Sequence, residues 1–252
     1  MLFERLDYSW SRALAMLAAH PALGRHVGSI DADSYDVAGP FILRSSHLFF
    51  NLDSITNLPF SGRVQVTDVP RSPLRLAKLG IDLEWPFDLA VSLVSLVDAR
   101  ALQSLVVRSF ELHFLADLGR FTNLRSLSVN CRYPVRLPAK ALAPLIHLRE
   151  LSIDRIDTAS ILSQTLPTLE TLTICGDHAL QSLSAFAPDD IRTLLPSLST
   201  VRLSHYEFGL SGGLQAETVD QLGALARCLR EANVRFIDCK GIAWQADWDA
   251  TP

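Results

Sequence analysis

The chain has 252 residues, of which 48% are hydrophobic, and a formal charge of −4 at pH 7. That length and apolar content suffice for a sizeable core and predict a single domain, while the mild negative charge argues against a dedicated nucleic-acid binder, which carries a basic surplus or stripe. No apolar run reaches the roughly 18 to 20 residues that span a bilayer. The short stretch Ala13 to Ala19, preceded by Glu4, Arg5, Asp7 and Arg12, is a poor fit to a cleaved signal peptide.

From the N-terminus, Leu6, Trp10, Ala13, Leu14 and Leu17 recur at helical spacing and predict a capping helix within residues 1–22, ended at His20-Pro21 because the residue before proline disfavours the α region. Residues 23–100 read as degenerate early repeats. Val27 and Ile30 suggest a first strand, and Phe41 to Leu43, Leu48 to Leu52 and Val64 to Val69 suggest others, with Pro40, Pro59, Pro70 and Pro73 interrupting the pattern. A short helix is expected in Phe87 to Arg100, where Leu89, Leu93, Leu96 and Val97 share a face.

Residues 101–240 carry a clearer repetition. The pattern apolar-x-x-apolar-x-apolar occurs at Leu102-Leu105-Val107, Leu124-Leu127-Val129, Leu148-Leu151-Ile153, Leu169-Leu172-Ile174 and Leu198-Val201-Leu203, with starts 22, 24, 21 and 29 residues apart. Weaker copies stand at Leu76-Leu79-Ile81 and Val234-Phe236. Alternate side chains of a strand point to opposite faces, so the last two apolar residues of each triplet point inward together. The return segments show helical spacing: Ala141, Leu142, Leu145 and Leu148 in one, Val219, Leu222, Leu225, Ala226 and Leu229 in another. Asp189 and Asp190 are placed to favour the first turn of a helix after Pro188. One such unit cannot bury its own apolar face, and neighbours must stack into a continuous column.

These units resemble leucine-rich repeats, whose consensus opens L-x-x-L-x-L-x-x-N/C-x-L. The resemblance implies an α/β solenoid: a curved parallel β-sheet with helical or irregular return segments. The Asn or Cys position of the consensus holds Phe110, Arg132, Ile156, Asp177 and Tyr206 in the five central copies, which predicts irregular repeats without the usual side-chain ladder there. Cys131 and Cys175 fall near that position and are expected to be apolar fillers or solvent-facing strand residues. The stretch Trp10 to Val27 is further similar to the opening of the repeat region in fungal F-box and leucine-rich-repeat proteins. That likeness implies the substrate-recognition part of a ubiquitin ligase, with a Skp-type adaptor as partner only if an F-box exists upstream, since the residues before Leu6 leave no room for one.

Catalytic signatures are sparse. No G-x-S-x-G, H-E-x-x-H, G-x-G-x-x-G or phosphate-binding loop occurs, and the motif Leu210-Ser211-Gly212-Gly213-Leu214 reads as a turn before a helix starting near Ala216. The four cysteines form no C-x-x-C pair and no zinc spacing, and there is no N-x-S/T acceptor, which together suggest reduced thiols and a cytoplasmic or nuclear setting. No cofactor, metal, nucleic acid or membrane is expected. The C-terminal residues 241–252, with Trp244 and Trp248, are expected to fold back over the last apolar layer or form a tail.

The expected function is therefore a non-catalytic protein–protein interaction module. Its outward strand positions are mainly Ser and Thr with charges of both signs. Candidate binding residues are Arg108, Asn130, Glu150, Asp154 and Arg202 on the strands, and His205 and Tyr206 at the mouth of the loop 204–215. Two alternatives compete with this expectation: an enzyme with a site assembled from separate repeats, and a small-GTPase regulator on the same scaffold.

Overall fold

A computed structural model describes residues 10–31, 45–49, 51–60, 72–83, 93–109, 118–138, 140–156, 160–161, 164–175, 187–205, 208 and 216–245. The chain divides into two compact units, Met1–Leu124 and Arg125–Pro252. Each carries a parallel-strand β-solenoid in which successive strands are neighbours in chain order.

In the first unit the strands are β1 (Ser29–Asp31), β2 (Ser54–Phe60), β3 (Lys78–Leu83) and β4 (Ser104–Ser109). The register stacks Ile30, Ile55, Leu79 and Leu105 in one row and places Ile81 beside Val107 in the next, and all of these are buried. Helix α1 (Trp10–Ala19) is seen where the N-terminal periodicity predicts one, with Leu17 buried. Residues 1–9 lie outside the described residues. Helix α2 (Pro21–Gly24) follows at once, Pro21 filling a first-turn position whose missing amide costs nothing. Gly24 is the seat for the next return segment: a Cβ there would stand 1.8 Å from the Leu48 carbonyl oxygen.

Two early expectations need correction. The described residues of Leu48 to Leu52 do not form a strand. They include the end of a 3-10 turn (Ser46–Leu48) and a turn at Asn51, and the strand begins only at Ser54. Leu52 and Ile55 are the first two residues of a triplet whose third place holds Asn57, in the left-handed region at φ 53, so the ladder shifts and Leu58 is buried instead. Gly80 on β3 makes room for this bulge, since a Cβ there would meet the Asn57 amide nitrogen at 3.1 Å. Pro59 lies inside β2, in register with Asp82 of β3. The strands expected at Phe41 to Leu43 and Val64 to Val69 lie outside the described residues. Of the helix expected in Phe87 to Arg100, α3 (Leu93–Leu96) is described.

In the second unit, β5 (Ser126–Val135), β6 (Glu150–Ile156), β7 (Thr171–Cys175), β8 (Thr200–Leu203) and β9 (Arg235–Ile237) stack in parallel. Leu127, Leu151, Leu172, Val201 and Phe236 form one buried row, and Val129, Ile153, Ile174 and Leu203 the next. Helix α4 (Pro188–Leu194) starts at the expected proline, with Asp189 and Asp190 in its first turn. Helix α5 (Ala216–Glu231) covers the last strands with Leu222, Leu225, Ala226 and Leu229 buried. The segment Pro138 to Leu148, expected to be helix-like, is instead a chain of tight turns. Each amide of Ala141, Ala143, Leu145 and Leu148 bonds the carbonyl three residues back, Lys140 sits at φ 63, and Pro144 has no amide to offer a helix. Leu142, Leu145 and Leu148 are nonetheless buried as their spacing implies.

A ladder of side chains does exist, but it lies ahead of the strands. The residue just before the first apolar member of a triplet reaches back to a carbonyl of the previous turn: Asn51 to Arg25 at 2.7 Å, Asn123 to Arg100 at 2.7 Å, Thr168 to Ile146 at 3.0 Å and Ser197 to Pro167 at 2.6 Å. At the start of most strands one carbonyl of the preceding repeat accepts two consecutive amides of the next, as Arg125 does from Arg149 and Glu150, and Arg149 from Glu170 and Thr171. A second polar link crosses behind the sheet. Buried Gln164 accepts the Leu142 amide at 3.2 Å and donates to the Pro138 carbonyl at 2.9 Å, while Ser160 Oγ accepts the Leu137 amide at 3.1 Å. Polar groups taken from water in these turns are thereby satisfied.

The last repeat is closed by aromatic packing. Trp244 donates its backbone amide to the Phe236 carbonyl, and its ring meets Phe208 edge-on with centroids 4.9 Å apart. Phe208 in turn lies 5.2 Å from Phe236. Trp244 thus folds back over the final layer; Trp248 lies outside the described residues. Fully buried Asp238 fixes the turn between them, accepting the amides of Phe208, Lys240 and Ile242 at 2.9, 2.9 and 2.7 Å.

Candidate functional site

Strand alternation determines which side chains reach solvent. On β6, Leu151 and Ile153 are buried while Glu150 is exposed and Ser152 and Asp154 are half-buried. Extending this through the register of the second unit gives three outward rows. The first runs Ser126, Glu150, Thr171, Thr200, Arg235; the second Ser128, Ser152, Thr173, Arg202; the third Asn130, Asp154, Cys175. Short hydroxyl side chains hold the middle of the first two rows. Carboxylates stand on β6 and guanidinium groups on β8 and β9.

The candidate residues from the sequence distribute as follows. Asn130, Glu150, Asp154 and Arg202 share this one face. His205 is exposed just beyond the end of β8, and Tyr206 lies outside the described residues. Arg108 belongs to the first unit. Its guanidinium reaches Asp82 on the neighbouring strand at 3.7 Å, a half-exposed pair. In the same unit Asn57 Nδ2 donates to Asp31 at 2.9 Å. Polar face groups in the first unit are thus engaged with one another, whereas no ion pair joins Glu150, Arg202 or Arg235 to another described residue.

Arg235 was not among the candidates from sequence. It sits between Val234 and Phe236, the weak last triplet, and that spacing alone was enough to turn it outward. Its alignment with Glu150 across three strands needed the register of β7, β8 and β9, which the unequal return segments conceal.

The two cysteines at the strand ends have different fates. Cys131 is buried, and burial first, then the negative charge of Asp154, push its thiol up to about 11. Cys175 lies outward in the third row, its Sγ 3.7 Å from Ser152 Oγ. The one is an apolar filler and the other part of the face. All four cysteines are free.

Among the described residues no group of three or more His, Cys, Asp or Glu is placed to hold a metal ion. No described helix is long and apolar enough to cross a membrane. Compared with known proteins, the chain matches no protein-family model, and no curated protein is a significant match to it.

Proposed function

We propose that this chain is a leucine-rich-repeat-type interaction module that binds protein through the outward face of its strands and carries out no chemistry of its own. The observation that carries this reading is the second unit's face: in-register rows of Ser and Thr above a closely packed Leu, Ile and Val layer, with the exposed charges of Glu150 and Arg202 in no ion pair with another described residue. Short hydroxyl side chains lose little conformational freedom on contact and both donate and accept hydrogen bonds. Such a surface suits a polar protein segment better than an apolar ligand or a phosphate backbone. Asn130, Glu150, Asp154 and Arg202 form its core, with His205 at its edge.

The most concrete version is the substrate-receiving half of an F-box-type ubiquitin ligase receptor, with the Skp-type adaptor held by an F-box encoded upstream. Affinity purification and mass spectrometry, run in parallel on the natural full-length gene product and on its Ser152→Trp and Thr173→Trp variants, test both levels. Partners recovered by the natural protein and lost from both variants are expected, because an indole at either of these two positions of the second row obstructs the face. A partner set indifferent to both variants would sink face-directed binding. Absence of Skp-type adaptor and cullin would sink the ligase version alone.

A further inference from the structure

The charges on the second unit's face are sorted along the stack. Row one places Glu150 on β6 and Arg235 on β9 with Thr171 and Thr200 between them in direct register. Asp154 adds a carboxylate on β6, and Arg202 a guanidinium on β8, so the acidic pole lies over one strand and the basic pole over the last two. Glu150, Arg202 and Arg235 are exposed. The charges next to the first row leave its Glu150–Arg235 polarity in place: Arg149 and Glu170, one residue ahead of the row, pair with each other at 3.5 Å, Arg125 lies ahead of β5, and exposed Arg155 stands five residues further along β6 from Glu150, beside Asp154.

We infer that this face takes an extended protein segment lying across the strands, in which a Lys or Arg and an Asp or Glu stand four residues apart. Neighbouring strands are about 4.7–4.9 Å apart, so three steps from Glu150 to Arg235 span roughly 14 Å. An extended chain advances about 3.3–3.6 Å per residue, and four residues cover that same distance. Residues i, i+2 and i+4 of an extended segment also share one side. The cationic residue then meets Glu150, the anionic residue meets Arg235 with Arg202 beside it, and residue i+2 rests over Thr171 and Thr200. Arginine at the basic pole grips a carboxylate with two parallel hydrogen bonds. Threonines at the centre give the middle position a preference for small polar side chains.

This inference rests on the strand-face reading above and deepens it. Panning a library of randomised displayed nonapeptides against the full chain and against its Arg235→Glu variant tests it. Arg235→Glu and Thr173→Trp both alter outward side chains, and circular dichroism melting of each variant checks that the fold is unchanged. Against the natural chain, enriched peptides are expected to carry one basic and one acidic residue at a separation of four. Against Arg235→Glu, the enriched set is expected to change to two basic residues at that separation, and peptides from the first selection to bind on the order of tenfold more weakly. Enriched peptides that lack the spacing yet are lost on Thr173→Trp overturn the charge polarity and leave face binding standing. Peptides indifferent to Arg235→Glu and to Thr173→Trp alike, or no enrichment at all, overturn both.

Discussion

Gln164 holds Leu142 from the repeat behind it, its Oε1 accepting the Leu142 amide at 3.2 Å while its Nε2 donates to Pro138. The Leu142 bond is buried and the Pro138 bond part-buried, so one side chain satisfies the backbone of a turn that forms no helix. Replacement by Leu keeps the size and removes both bonds. A loss of about 2–4 kcal/mol is expected from the stranded amide and carbonyl, read as a shift in the urea midpoint. A loss below about 0.5 kcal/mol, the range of ordinary surface changes, would show that the turn satisfies itself.

Leu151 occupies the middle of a buried row, between Leu127 and Leu172. Leu151→Ala should cost about 2–5 kcal/mol, as large-to-small changes in cores do. Leu151→Asp should prevent folding of the second unit, because the carboxylate finds no partner between apolar layers. Circular dichroism and limited proteolysis of the two variants decide this, and a folded Leu151→Asp protein would contradict the stacked register.

Asp238 gathers three backbone amides, two on Oδ1 and one on Oδ2. Asp238→Asn can retain the acceptor facing Lys240 and Ile242 but turns an NH2 toward the Phe208 amide. A loss of about 1–3 kcal/mol is expected for that one orphaned donor, and a larger one for Asp238→Ala. The Trp244 fluorescence should shift toward that of exposed indole in the alanine variant, since the turn that seats the ring is lost.

Cys131 has a thiol pKa raised to about 11, and Cys228 is raised in the same direction, both by burial first. The unfolded chain ionises these thiols at the ordinary value of 9.0, so the folded state binds more protons in between. The contribution of Cys131 to stability is complete below pH 9 and is lost as pH rises from there toward about 11, and that of Cys228 is lost in the same direction. Urea midpoints between pH 8 and 11 should fall less steeply in Cys131→Ala than in the natural protein. At neutral pH, iodoacetamide should modify exposed Cys239 well before Cys131.

Arg235→Glu and Glu150→Arg change only exposed side chains, and each should move the urea midpoint by less than about 0.5 kcal/mol equivalent. A larger effect in either would assign these residues to the scaffold and not to its surface.

The parallel stack was legible wherever both inward residues of a strand are apolar. Leu127, Leu151 and Leu172 could be aligned from spacing alone, and α5 from its helical periodicity. The first unit was harder for a local reason: in β2 the third inward place passes from Asn57 to Leu58 through a left-handed residue, which breaks the count by one. Pro138 to Leu148 misled in the opposite sense. Turns with bonds three residues apart bury Leu142, Leu145 and Leu148 on nearly the spacing a helix would use, so burial periodicity alone does not distinguish the two. On the surface, Glu150 and Arg202 followed from alternation within their own strands. Their relation to Arg235 depends on which strands are neighbours and in what register, and the helix-bearing segment before β9 hides that from a fixed repeat length.

The doubly accepting carbonyl at the start of most strands has a further consequence. It joins successive repeats at one point that is indifferent to how much chain intervenes: Arg149 accepts from Glu170 and Thr171, and Glu170 accepts from Ser199 and Thr200 across a longer return segment that carries helix α4. Length change is thereby confined to the side away from the strand face. Insertions and deletions in the return segments can accumulate while the spacing of the outward rows, and with it any pattern they read, stays constant.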